Sequence, residues 1–336
     1  MGIKASATCV MNFDGAKGWL IGPPNKGLNC MFTFMNTARV GTALQGVAAA
    51  EGSFQGALAY AKERLAMRSL SGPKAPEKEA DPIIVHPAVR NMLLTQKAFA
   101  EGGRALLYWL STQTDLVQGA ETEEARKAAD DLMSFLTPIA KAFLTEAGSE
   151  AAKHGVQVYG GHGFIREWGM EQIQRDTRIA CLYEGTTEIQ ALDLLGRKVV
   201  MDGGKGLQLL ASRINATIER ALALPDFAEQ GNTLAATLAQ VGAATKAAWA
   251  TGNPEEALAN ATPYLQAFGH LVLGWIWLDV ALCAKGRAAT LDDALVQGKL
   301  AACRFFFRHE LPRVGAWLQV VTRRDDTCRT MDETWF

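Results

Sequence analysis

GVQVYGGHGFIREWGMEQIQRDTRIACLYEGTTEIQ, residues 155–190, is the stretch on which the reading of this chain turns. Six glycines fall between Gly155 and Gly185. At that density the backbone can come close to a ligand or to another backbone. A tight connection between two helices is the plainer explanation. At its end, Tyr183-Glu184-Gly185-Thr186 reads as a turn. Thr187 with Gln190 reads as a capping box for the helix that follows. Glu184 then sits just ahead of a helix N-terminus, beside apolar Leu182 and Tyr183. Burial there raises a carboxyl pKa and the helix dipole lowers it. A carboxylate held between those effects can act as a general base. A glutamate placed only to complement the dipole fits the same letters.

Outward from this segment the pattern is helical. Apolar residues recur at three- and four-residue intervals over Phe34–Met67, about Pro87–Leu116 and Thr122–Lys153. Pro87 stands at a helix start, where proline is tolerated. Ser69–Asp81 holds Gly72, Pro73, Pro76 and a charged run, and reads as a surface loop. Gly203-Gly204 marks a boundary. Beyond it Leu207–Leu222, Leu234–Thr251, Pro263–Lys285 and Thr290–Val321 read as helices, the last broken at Pro312. Two short strands, Lys4–Phe13 and Trp19–Ile21, are expected about the turn pair Asp14-Gly15. The expected fold class is mainly α, with a short β remnant in front.

The chain of 336 residues is 49% apolar, enough for two domains or one large one. With 34 basic and 35 acidic residues its net charge is −1. That balance argues against a nucleic-acid partner or a membrane surface, both of which need a basic excess. The six cysteines are scattered without a CxxC pair. They read as reduced thiols of a cytoplasmic protein. Pro263–Ala284 is nearly long enough to span a bilayer, but it carries Gln266, His270 and Asp279. A buried core helix is therefore expected, not a transmembrane segment. There is no P-loop, HExxH, ExxH or GxSxG, and no metal site is expected. Gly161-His162-Gly163 starts a GxG that ends at Arg166, so the dinucleotide fingerprint is incomplete. Ser71-Gly72-Pro73-Lys74 spells SxxK, inside the loop.

Gln157-Val158-Tyr159-Gly160-Gly161-His162-Gly163-Phe164, then Arg175-Asp176-Thr177-Arg178-Ile179, then Tyr183-Glu184-Gly185-Thr186, together resemble the C-terminal domain of the acyl-CoA dehydrogenase family. Arg39, Gly41 and Gly46 open a helix closing in Tyr60-Ala61-Lys62-Glu63-Arg64, similar to the first long helix of that domain. Ala191–Val199 and the helices after Gly203 resemble the branch with an extra C-terminal domain, which includes the methylmercaptopropionyl-CoA dehydrogenase-like enzymes. The resemblance divides the chain into a barrel remnant (1–29), the family's helical domain (30–202) and an additional helical domain (203–336).

The resemblance implies FAD-dependent α,β-dehydrogenation of an acyl-CoA thioester. Glu184 would remove the α-proton, and a hydride would pass to flavin N5 and on to an electron-transfer flavoprotein. The Glu184 N–H and a flavin ribityl hydroxyl would hold the thioester oxygen. Gly185 and Tyr183 would line the substrate, with Arg39 near the active site. Arg64 would reach the FAD pyrophosphate of a neighbouring subunit. Gln157, Val158, Tyr159, Gly160 and Gly161 would approach its adenosine side, and Thr186 and position 188 would also touch it. Position 188 is Glu188, where related sequences commonly carry Gly or Gln, and its charge disfavours a pyrophosphate contact. A homodimer or tetramer is implied. Met1–Ser6 resembles internal sequence of the family, as in a truncated frame, a fragment or one piece of a split enzyme. A non-catalytic helical assembly module and an acyl-CoA oxidase are the alternatives.

Overall fold

The computed structural model describes residues 1–32 and 34–336. The helices are α1 (Gly27–Phe32), α2 (Met35–Glu63), α3 (Pro87–Gly119), α4 (Glu123–Tyr159), α5 (Gly161–Phe164), α6 (Met170–Thr177) and α7 (Thr187–Asp193). They continue as α8 (Lys205–Leu222), α9 (Ala228–Ala248), α10 (Pro254–Leu258), α11 (Ala261–Gly286), α12 (Asp293–Phe305), α13 (Arg313–Arg323) and α14 (Thr327–Thr330). Local chemistry sets several ends. Pro87 opens α3. The Thr122 hydroxyl accepts from the Ala125 amide at 3.1 Å, with Glu123 and Glu124 in the first turn of α4. Pro312 separates α13 from the π-helical turn Phe306–Glu310 behind α12, as expected from its missing N–H.

Helices α2 and α4 cross almost backbone to backbone. A Cβ on Gly46 would lie 2.2 Å from the Leu144 carbonyl oxygen, and one on Gly148 would lie 2.4 Å from that of Gly46. α4 also runs further than its sequence pattern predicts, through Gly155 to Tyr159. Gly155 is therefore no connection. It is buried within the helix, where a Cβ would meet the Ser53 hydroxyl at 2.1 Å. Gly160, with φ 61° and ψ −133°, ends the helix in a backbone conformation open to glycine.

α11 lies at the centre of the molecule, with Tyr264, Phe268 and Trp277 wholly buried. It packs against α3, α4, α7, α8, α9, α12 and α13. The Trp277 indole donates to the Ala98 carbonyl across the seam at 3.0 Å. Among the described residues it is the one helix long and apolar enough to cross a membrane, and 78% of its apolar window is buried inside the fold. A single hydrophobic cluster runs from Ala43 and Phe99 through Phe143 and Leu194 to Phe306 and Val321.

The two strands expected at the front do not form. Among the described residues the only β pairing is the isolated bridge between Leu65 and Pro82. The Asp14-Gly15 turn is present, with Gly15 at φ 68° and the Ala16 amide donating to Phe13. Its flanks stay extended and exposed, including Val10, Phe13, Trp19 and Ile21. A lone two-stranded hairpin is marginal without a third strand or a covering face, and these flanks have neither.

Candidate active site

The turn before α7 is built from a strained backbone. Glu184 has φ 57°, a left-handed conformation costly for a non-glycine residue. Gly185 follows at φ 88°, and a Cβ there would stand 2.4 Å from the Gln190 amide nitrogen. Three side chains hold the turn through its carbonyls. Arg39 Nε, from the second turn of α2, donates to the Glu184 oxygen at 3.3 Å. Gln190 Nε2 donates to the same oxygen at 3.3 Å. Lys141 Nζ, from the middle of α4, donates to the Gly185 oxygen at 2.6 Å. With both carbonyls turned inward, the Glu184 N–H and carboxylate have no bonded partner among the described residues.

Lys141 is wholly buried. Burial pushes its pKa below the ordinary lysine value, and Arg39 adds to that, while Cys181, Glu146 and Glu184 pull it back up. The Tyr183 hydroxyl bonds the Gln45 side chain, tying the turn to α2. The cap differs from the expected one. Thr186 is the N-cap and accepts from the Ile189 amide at 3.3 Å. Thr187 is free to donate to Glu146 Oε1 at 2.7 Å. Gln190 serves Glu184, not a capping box. Glu188 is exposed in the first turn of α7.

The remaining expected site residues lie elsewhere. Arg64 caps the C-terminus of α2, and Gln157, Val158 and Tyr159 end α4 beside Gly160 and Gly161. Arg64, Val158, Tyr159, Gly160 and Gly161 line a cavity of about 300 Å³ with Tyr60 and His162. The Tyr60 and Tyr159 rings stack at 4.1 Å, and Tyr60 Oη meets His162 Nδ1 at 2.9 Å. Burial, with Tyr60 close by, raises the Tyr159 pKa. Added Cβ atoms on Gly160 and Gly161 would meet nothing within 4 Å, so this backbone faces open space. The Arg64 guanidinium is exposed and unbonded among the described residues. At 1.5 Å per residue, Arg39 and Arg64 are roughly 37 Å apart along α2. The expected site residues thus form two groups, toward opposite ends of α2.

Sequence reasoning missed Lys141, Gln45 and Glu146. Lys141 did leave a signal, as the one charged letter in the apolar run Leu132–Thr145. Gln45 and Glu146 left none.

A long helical bundle with a strained glutamate turn at one helix N-terminus defines a recognisable class. The sequence profile described as "Acyl-CoA dehydrogenase, C-terminal domain" matches residues 25–199, and "Acetyl-CoA dehydrogenase C-terminal like" matches 210–332. The chain belongs to the acyl-CoA dehydrogenase family. It is 41% identical to 3-methylmercaptopropionyl-CoA dehydrogenase of Ruegeria pomeroyi, over 98% of this chain and 56% of that protein. It spans about half the length of the curated relatives it matches. Among solved structures, the acyl-CoA dehydrogenase of Bacillus anthracis complexed with FAD aligns with a TM-score of 0.70 at 18% identity. That alignment covers 92% of this chain and 53% of the other. Caenorhabditis elegans ACDH-11 in complex with C11-CoA gives 0.71 at 16% identity, covering 90% and 49%. These two likenesses concern the fold.

Proposed function

We propose that this chain carries the base and the helical frame of a cytoplasmic, FAD-dependent acyl-CoA dehydrogenase, divided as 1–29, 30–202 and 203–336. The observation that supports this is the Glu184 turn. Its carbonyls are tied inward by Arg39, Gln190 and Lys141, which leaves its carboxylate and N–H unbonded among the described residues. In this reading the Glu184 carboxylate removes the α-proton of an acyl-CoA thioester. The Glu184 N–H donates to the thioester oxygen, where negative charge grows as that C–H bond breaks. Gly185, with no side chain, lets the thioester lie against the turn, and Tyr183 and Arg39 flank it.

The residues present fit FAD. Open glycine backbone at Gly160 and Gly161, the stacked Tyr60–Tyr159 pair and the unbonded Arg64 suit an aromatic dinucleotide with a pyrophosphate. FAD, when bound, accepts the β-hydrogen as hydride and passes the electrons to an electron-transfer flavoprotein. Since Arg64 lies roughly 37 Å from Arg39 along α2, one copy's Arg64 group would serve another copy's Glu184, in a homodimer or tetramer. Thr186 and Glu188, at the head of α7, would stand at the cofactor's near side.

The test uses the FAD-loaded protein, mixed anaerobically with acyl-CoA while flavin absorbance is followed. Glu184→Gln should slow bleaching by about 10²- to 10⁴-fold, the usual contribution of a positioned base. Folding should be kept, since Thr186 still caps α7. Equal rates in the two proteins would remove Glu184 from the chemistry.

A further inference from the structure

A second cavity, of about 280 Å³, opens between α4, α11 and α13, on the seam between the two halves of the chain. Its lining includes Phe99, Phe143, Glu146, Glu150, His270 and Trp317. Nothing in the Glu184 chemistry uses it. His270 is its unusual member, only 3% exposed in the apolar middle of α11. His270 Nδ1 sits 2.8 Å from the Gln266 carbonyl, which only accepts, so Nδ1 carries the hydrogen. His270 Nε2 is then a lone-pair acceptor in the neutral ring, and it has no hydrogen-bond partner. Glu310 Oε2 is 3.8 Å away, an ion-pair contact when the ring is protonated but beyond hydrogen-bond reach, and it also accepts from Arg313 at 2.7 Å. A buried polar atom left without a partner costs free energy unless something fills its place.

The rest of the wall indicates what that would be. The rings of Phe143 and Trp317 lie 4.8 and 4.7 Å from the imidazole, and Phe99 lies 6.3 Å from it. Two carboxylates, Glu146 and Glu150, stand on the α4 side. Glu150 is held at a pKa of about 2 by His154 first, then by Lys153. His154, Lys153 and, at 3.9 Å from Glu146, Arg178 reach these carboxylates without lining the cavity. The single guanidinium in the lining, Arg313, is engaged by Glu310 and by the face of Trp317 at 5.3 Å. The cavity therefore offers acceptors, negative charge and aromatic faces, and no unbonded cation among the described residues.

We propose that this cavity binds a small organic amine whose ammonium group donates to His270 Nε2 and the Glu146–Glu150 pair, with its apolar body against Phe99, Phe143 and Trp317. Aromatic faces and carboxylates together select a cation. The size suits a ligand smaller than a drug-like molecule. Glu146 also accepts from Thr187 at the head of α7, so the occupant shares a carboxylate with the element that carries the Glu184 turn.

The probe is phenethylammonium, titrated calorimetrically into the full chain at fixed ionic strength, with phenylacetate as the anionic control of like shape. Saturable one-to-one binding of the amine, with no binding of phenylacetate, is expected. Glu150→Gln, at the rim, should weaken the amine by about threefold or more, the scale of a partly exposed charge pair. Trp317→Leu should weaken it by about fivefold or more through the lost aromatic face. Circular dichroism checks that both variants fold. Absence of amine binding at millimolar concentration, equal binding of phenylacetate, or affinity unchanged in both variants would overturn the proposal.

Discussion

Replacing Lys141 with methionine separates the turn's position from its chemistry. Methionine keeps much of the lysine stem's length and apolar volume, and removes the donor to the Gly185 oxygen. That bond, at 2.6 Å from a wholly buried ammonium, is charge-assisted. Such bonds contribute about 1.5–3 kcal/mol. Without it, Glu184 is held at its left-handed φ of 57° by the Arg39 and Gln190 contacts alone. Relaxation to an ordinary φ recovers about 1–2 kcal/mol and swings the carboxylate and N–H off their line. At tenfold per 1.36 kcal/mol, losing the restraint corresponds to about a 10- to 150-fold slower anaerobic bleaching of the FAD-loaded protein. Global stability should change little, because removing a buried ammonium relieves a desolvation cost of similar size. Burial holds the lysine pKa below its ordinary 10.5. The folded state therefore binds fewer protons than the unfolded one between those two values, and wild-type stability should climb with pH there. Lys141→Met should lose that climb. A bleaching rate within twofold of wild type, with an unchanged melting temperature, would show that the turn holds itself and that Lys141 has no positioning role.

Asp81 is buried in the loop after α2 and accepts from the amides of Ser69, Lys74 and Ala75, each at 2.8 Å. The Ser69 amide above all, then those of Ala75 and Lys74, with Arg68, bring its pKa down to about 2 against burial. The stability it contributes is full above pH 3.8 and drains as the pH falls toward 2. Asp81→Asn should flatten the acid limb of the melting temperature, and an unchanged limb would refute the assignment. Gly148→Ala forces a methyl to within 2.4 Å of the Gly46 oxygen and should cost about 1–3 kcal/mol in urea unfolding. A stabilised variant would mean that the helices part freely. Trp277→Phe removes the indole donor to Ala98 at 3.0 Å, while that carbonyl keeps its place in the α3 hydrogen-bond ladder, a loss of about 0.5–1.5 kcal/mol by the same assay. No measurable change would show that water replaces the indole.

Much of this was readable in the letters. Apolar periodicity located the long helices, Pro87 and Pro312 fixed two ends, and Asp14-Gly15 gave a turn. Glu184 was legible as a residue ahead of a helix start, because that signal is local. What was not legible depends on residues distant in sequence. Lys141 meets Gly185 across 44 positions and Tyr183 meets Gln45 across 138. Gly155 read as a connection because its partner, Ser53, lies on another helix. The capping assignment slipped by one residue, since Thr186 and Thr187 have the same side chain and only tertiary contact with Glu146 sorts them. The front strands failed for the same reason: alternation describes one strand, and a strand needs a second.

The link between Val199 and α8 holds three consecutive left-handed residues, Asp202, Gly203 and Gly204. By its backbone it is the natural place to cut or to bend. The interior argues otherwise. Phe135 of α4 rests against Phe268 of α11, Trp249 at the C-cap of α9 donates to the Leu195 carbonyl, and Phe143 seals against Gly269. A protease that nicks this link would therefore release neither half. Expressed without residues after 204, the front helices would present their bare apolar flank to solvent and associate through it. The link looks like a joint and works as a seam: the chain can be opened there, but the fold cannot.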